Sequence, residues 1–474
     1  MLCKLMGPLA ASLCLLPAAA WADGAVYAMT NALDNNEVLV FHRAADGSLT
    51  PAQTIATGGG GSGLQLIPVD SLGSAGSIRL DSQHRFLFVV NTESAAQNDG
   101  QGAYNTDCKQ GTITSFRVAD DGTLTFADRV FSGGLYPNSI AVRTLRRGHG
   151  DDDSADGNSN RANDTDPLVD LLYVLNAGGP QPPAICHLTP GTANTPNITG
   201  FRVDTTGHLI PLDVTQPIDP GNAANCTASS SAGFSGLLGG VPVADFQCGL
   251  NPPSFPRSPA QVGLSPDGKH LVVTVKATNT IYVFPLDKDG RAGAPTVTPA
   301  APPALPNFTG FAFDRSGNLL VAEAFGASTS IPAGGHAAVS SFAITSNGHL
   351  VPISAHVSDG GGTDAVSIAL EPVTERFAYV ANNLGANGIA SYIVANGAVT
   401  LLSPAAATPS PSLPNDIATA TDGTKNAPTS FLYVVSPGDG TVRAFKINLL
   451  NGALTAIAGG VFPAGSIPQG LAAY

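Results

Sequence analysis

The stretch GTITSFRVADDGTL, residues 111–124, decides the fold. It is a short alternating strand ending in an aromatic, a polar turn carrying Asp-Gly, and a second strand that opens on Leu-Thr. Alternation buries one face and exposes the other, while glycine supplies the positive φ of a tight turn, so the stretch predicts a β-hairpin. The unit recurs. Its aromatic falls at Phe41, Phe116, Phe201, Phe284, Phe342, Tyr392 and Phe445, and a turn glycine follows at Gly47, Gly122, Gly207, Gly290, Gly348, Gly397 and Gly452. One aromatic at the same depth of each repeat predicts packing between repeats rather than a binding ladder.

Two further strands flank each hairpin. One is an apolar run ending in a polar residue, as in FLFVVN (86–91), LLYVLN (171–176), LVVTVK (271–276) and LLVAEA (319–324). The other precedes it, as in SIRLD (77–81), SIAVR (139–143) and DIATATD (416–422). With the hairpin, each repeat holds four strands, A to D from the axis outward. Four antiparallel strands repeated seven times predict an all-β, seven-bladed β-propeller. The first repeat lacks an A strand and the chain finishes on QGLAAY (469–474), so the C-terminal strand is expected to close blade 1 and hide its edges.

Composition fits this reading: 54 Gly, 37 Pro and only 12% charged residues suit short strands joined by turns. Residues 1–22 combine Lys4, an apolar run and Ala20-Trp21-Ala22 before Asp23, the pattern of a secretory signal peptide. A single propeller domain is then expected over 23–474, secreted or periplasmic, monomeric and without a membrane span. Formal net charge is −13, and removing residues 1–22 takes away Lys4 and no acid. That balance excludes a nucleic-acid surface. Four cysteines remain after the signal, Cys108, Cys186, Cys226 and Cys248. In an oxidising compartment they predict two disulfides, with Cys226–Cys248 favoured because both lie in one loop, leaving Cys108–Cys186. Trp21, the only tryptophan, leaves with the signal, which disfavours a sugar-stacking lectin.

In an up-and-down sheet the D-to-A and B-to-C loops share one face of the disc. The insertions 92–110, 177–196 and 213–258 fall there, and 144–169 falls on the opposite face. Elaborated loops on one rim direct attention to that face. The starts of A strands and the ends of B strands bring chemistry to its funnel. Glu323, Asp364 and Asp416 are the acid/base candidates, and Asn91, Glu93, Asn138, Arg257 and Lys276 the substrate-binding ones. Glu323 stands out because its counterparts in other repeats are neutral. Asp152, Ser154, Asp156 and Gly157 match the start of a calcium loop, but Asn163 occupies the position of its bidentate acid, so no metal is expected. Nothing matches a nucleophile elbow, a phosphate loop or a dinucleotide fingerprint.

With SPDGKHLVVTVKATNTIYVF (265–284), LLYVLNAGG (171–179) and GTITSFRVADDGTLT (111–125), the chain resembles the lactonase family of seven-bladed propellers, which includes 6-phosphogluconolactonase-like and carboxymuconate-cyclase-like members. The resemblance implies opening or closing of a lactone with no cofactor. The family's Gly-Pro-Arg-His run and Val-Asn-Glu strand end correspond here to positions that include Ala260, Gln261 and Val275, so its catalytic pattern is not retained. A histidine expected one blade earlier falls near Tyr136-Pro137-Asn138. Arg257 or Lys276 would then polarise the carbonyl. Two readings stay open: an exported lactonase acting on a small-molecule lactone, and a non-catalytic propeller whose loops bind an extracellular protein ligand.

Overall fold

The structure, a computed structural model, describes residues 24–63, 72–92, 111–146, 168–178, 196–218, 259–276, 278–299, 307–324, 337–384 and 388–474. The signal segment, all four cysteines, Glu93, Arg257 and the acidic stretch 150–163 lie outside the described residues.

Seven four-stranded antiparallel sheets make up the molecule. Blade 5 shows the plan, with A, B, C and D at Phe308–Phe313, Leu319–Glu323, Ala338–Ile344 and Leu350–Ser358. Blade 1 draws its innermost strand from the other end of the chain: Gln469–Ala473 pairs antiparallel with Gly24–Met29, Val26 facing Ala473. The expected closure is thus the one observed, and the Gly24–Met29 strand has no open edge. Blade 3 is longer than its sequence announces. Its A strand runs Pro137–Arg146, its B strand Leu168–Asn176 and its D strand Leu209–Pro217, each taking residues from segments read as loops.

The B strands are apolar throughout because both of their faces are covered by neighbouring blades; Gly24–Met29, Phe86–Asn91 and His270–Val275 are buried at every position. All seven hairpin aromatics are buried as well. Burying an aromatic of this size contributes about 2 kcal/mol, and the repeat places one at every blade junction. The turn glycines all have φ between 72° and 94°, which L side chains reach only under strain. Four of their carbonyls have a second use. Tyr27, Tyr173, Tyr379 and Tyr433 donate their hydroxyls to the backbone oxygens of Gly122, Gly290, Gly452 and Gly47, each in the next blade. A buried phenol needs an acceptor, and the turn supplies one. The Tyr433–Gly47 bond, 3.1 Å long, ties blade 7 to blade 1.

Candidate functional site

The candidate residues of the funnel separate into three groups. The first meets on residues 72–76, which cross the axis at the elaborated mouth of the channel. From blade 4, Lys276 Nζ donates to the Gly73 carbonyl, and the Ala260 carbonyl accepts from Ala75 N at 3.3 Å. From blade 3, the Asn138 carbonyl accepts from Ser74 Oγ at 2.7 Å and Ser139 Oγ donates to the Ala75 carbonyl at 2.7 Å. From blade 7, Asp416 Oδ2 accepts from Gly76 N at 3.2 Å. Asn138, Lys276 and Asp416 are therefore brought together, and what they hold is this crossing segment. Asp416 Oδ1 also accepts from Ser367 Oγ at 2.8 Å and Ile417 N at 3.0 Å. Burial raises its pKa, and the Arg79 guanidinium partly opposes that rise. Gln261 bridges A strands: Nε2 donates to the Phe311 carbonyl and Oε1 accepts from Phe311 N, both at 2.9 Å.

The second group is Asn91, at the end of the blade 2 B strand. Its Nδ2 donates to Thr112 Oγ1 and Thr114 Oγ1, and its Oδ1 accepts from Asn36 Nδ2 at 3.0 Å and Thr57 Oγ1 at 2.7 Å. Every polar atom of the amide is used, and the partners reach into blade 1. In the next blade Asn176 does the same work, accepting from Ser132 Oγ at 2.7 Å.

The third group lies between blades 5 and 6. Glu323 occupies the same register as Asn91 and Asn176, each four residues past the partner of the hairpin aromatic: Leu319 faces Phe342, Leu87 faces Phe116 and Leu172 faces Phe201. In blade 5, however, the side chain turns toward its own D strand. His356 Nδ1 donates to Glu323 Oε2 at 2.8 Å. The carboxylate is fully buried and the imidazole side chain is 24% exposed. Glu323 Oε1 is buried and accepts no hydrogen bond among the described residues.

A local irregularity aims that histidine. Val339 faces Val357 while Ser341 faces Ser354, so between these pairs the D strand carries one residue more than the C strand. His356 sits in that bulge with φ of 50°, and its N–H donates to Ser340 Oγ at 2.9 Å. Bulges re-aim side chains, and a non-glycine residue at positive φ persists only where its surroundings fix it. The bond to Glu323 lifts the His356 pKa above 6.5 against the effect of burial. Asp364 is close by in the chain path: its N–H donates to the carbonyl of Ala324, and its own φ is 63°. Tyr392 of blade 6 donates to the Val357 carbonyl at 3.3 Å. Its phenol is pushed up by burial and then by Asp359 and Glu323.

A carboxylate that fixes one imidazole nitrogen leaves the other poised to take a proton, because the hydrogen bond sets the tautomer and stabilises the imidazolium. Among the described residues no group of three or more His, Cys, Asp or Glu side chains is arranged to hold a metal ion. The odd carboxylate of the pair was legible in LLVAEA. His356 was not, because it lies 33 residues further on in a strand where only a bulge turns it inward.

No family model matches this sequence, and no curated protein does. Solved structures match along almost the full length. The periplasmic gluconolactonase of Pseudomonas aeruginosa superposes with a TM-score of 0.62 at 16% identity, over 95% of this chain and 98% of that one. The fold is that of the gluconolactonase propellers. A protein of Bacteroides fragilis provisionally named a 6-phosphogluconolactonase gives 0.59 at 14% identity, over 95% and 98%. Its counterpart from Bacteroides uniformis gives 0.59 at 13%, over 95% and 100%. Identities this low establish the shared architecture and leave activity to the site.

Proposed function

We propose that the chain is an exported lactonase-type propeller that hydrolyses a small-molecule lactone on its elaborated face, with His356 as general base and Glu323 as the residue that positions it. The Glu323–His356 bond carries this reading. Water held at the exposed edge of the imidazole gives up a proton to the free ring nitrogen as its oxygen attacks the lactone carbonyl. The ring C–O bond then breaks, and the proton passes to the departing alkoxide, leaving a hydroxy acid. The signal-like N-terminus and the periplasmic location of the Pseudomonas fold neighbour support export. Among the described residues no helix is long and apolar enough to cross a membrane.

The rival reading, a non-catalytic propeller that binds an extracellular protein, draws on the crossing segment 72–76. Asn138, Lys276 and Asp416 are engaged in holding it, so the funnel acids do not converge on an open mouth. One assay separates the two. Acid release is titrated for the purified full chain over a panel of unphosphorylated lactones, with Glu323→Gln and His356→Ala beside it. The enzyme reading expects at least one lactone to open above the buffer rate, and both variants to lose about 100-fold or more. No turnover of any lactone leaves the binding reading; turnover indifferent to both variants removes the site.

A further inference from the structure

The channel also has a second mouth. On the face opposite the elaborated loops it widens into a cavity of about 460 Å³, lined by the C-terminal halves of A strands from blades 1, 2, 5, 6 and 7. Its lining is mixed: Phe313, Ile368 and Leu370 stand beside Ser82, His84 and Thr419. The size falls within the ordinary range of small-molecule pockets. One side chain of the lining is a permanent cation: Arg79, from the middle of the Ile78–Leu80 strand.

The guanidinium lies against the floor formed by the crossing segment. A Cβ at Gly76 would stand 2.5 Å from its Nη2, which puts the guanidinium directly on that residue. Asp416 sits behind the same floor, with its oxygens taken up by Gly76 N, Ser367 Oγ and Ile417 N. Among the described residues Arg79 makes no hydrogen bond and no ion pair, although Asp416 supplies an opposite charge within electrostatic reach. Desolvation draws its pKa down, and Asp416 counters that only in part. A guanidinium carries five N–H donors in a planar fork whose natural complement is a carboxylate or phosphate. Turned into a cavity with those donors uncommitted, it is built to receive an anion.

We propose that this cavity binds a small organic carboxylate, its carboxylate on Arg79 and its body within the mixed lining. A monoanion fits better than a phosphate dianion. His84, also in the lining, is held below its usual pKa by burial and so stays neutral near pH 7. Asp81 and Asp416 add negative charge nearby. Arg79 is thus the single fixed cation of the described lining, and with two acids nearby a second negative charge on the ligand is repelled without a partner, which favours one charge over two. This site is separate from Glu323 and His356, which lie toward the outer strand of blade 5.

The test is calorimetric titration of the full chain with octanoate and 4-phenylbutyrate, with their primary amides, and with inorganic phosphate. The carboxylates are expected to bind at least tenfold more tightly than the amides or phosphate, and Arg79→Gln to lose at least tenfold. Ala369→Leu fills the wall while leaving Arg79 in place and is expected to weaken binding as well, with the native thermal transition kept. Equal binding of acids and amides, tighter binding of phosphate, or full affinity in Ala369→Leu overturns the proposal. So does undiminished affinity in a folded Arg79→Gln. Should Arg79→Gln not fold, the amide comparison and Ala369→Leu decide. Lactone opening is expected to be unchanged in Ala369→Leu, so the two sites stand or fall independently.

Discussion

Blades 2 and 5 place different residues at the same point of the same strand, and the difference separates scaffold from chemistry. In blade 2, Asn91 satisfies both faces of its amide with four partners and binds blade 2 to blade 1. In blade 5, Glu323 bonds to a histidine on its own D strand and keeps a buried oxygen without a hydrogen-bond partner among the described residues. A neutral amide with all its bonds made gains rigidity from burial. A carboxylate buried against a partly exposed imidazole instead stores a proton-transfer pair, at the cost of desolvating a charge. The propeller can bear this in one blade because the equivalent position elsewhere, at Asn91 and Asn176, is stitched tightly.

Both regions depend on the closed ring, so the largest effect expected is that of a chain ending at residue 464. It removes Gln469–Ala473 and uncovers the inner edge of blade 1. It should lose the cooperative thermal transition seen by circular dichroism; a transition like that of the full chain would show closure to be dispensable. Asn91→Ala comes next. It takes one acceptor from Asn36 Nδ2, which keeps the Val90 carbonyl, and one from Thr57 Oγ1, which keeps the Asn36 carbonyl, and should cost about 2 kcal/mol in urea unfolding. Less than about 1 kcal/mol would mean that the amide network is not what joins these blades.

Glu323→Gln should be the mildest change in stability, since it preserves shape and removes only the charge paired with His356. Its effect has a pH signature. The folded His356 pKa lies above the unfolded 6.5, so the stabilisation is fully present below pH 6.5 and is lost as pH rises through the folded value. The gap in stability between the native chain and Glu323→Gln should therefore be widest in mild acid and close toward alkaline pH. A gap that widens with pH would contradict the pairing.

Much of the fold was legible because a propeller declares itself by repetition. Gly122 and Phe116 mean little singly, but their recurrence at a fixed offset specifies the outer hairpin of every blade. Closure was legible from the unpartnered QGLAAY. The site was legible only in part. Glu323 showed as a carboxylate where its counterparts are neutral, whereas the placement of His356 depends on a bulge that no pattern of residues 350–358 announces. The crossing segment 72–76 carries no strand pattern, and its bonds to Asn138, Lys276 and Asp416 cannot be foreseen without knowing that it spans the axis. Arg79 escapes a sequence reading for the same reason. In SIRLD it is one polar residue in an alternating strand, and only the packing of five blades turns it into a cation facing a cavity.

The central claim is that Glu323 holds His356 as a base, and the pH dependence of lactone opening tests it most directly. The account predicts kcat/KM rising with pH through a single inflection above 6.5, with that inflection moved to lower pH in Glu323→Gln. An inflection that stays in place in the variant, or a rate with no titration in this range, would contradict it.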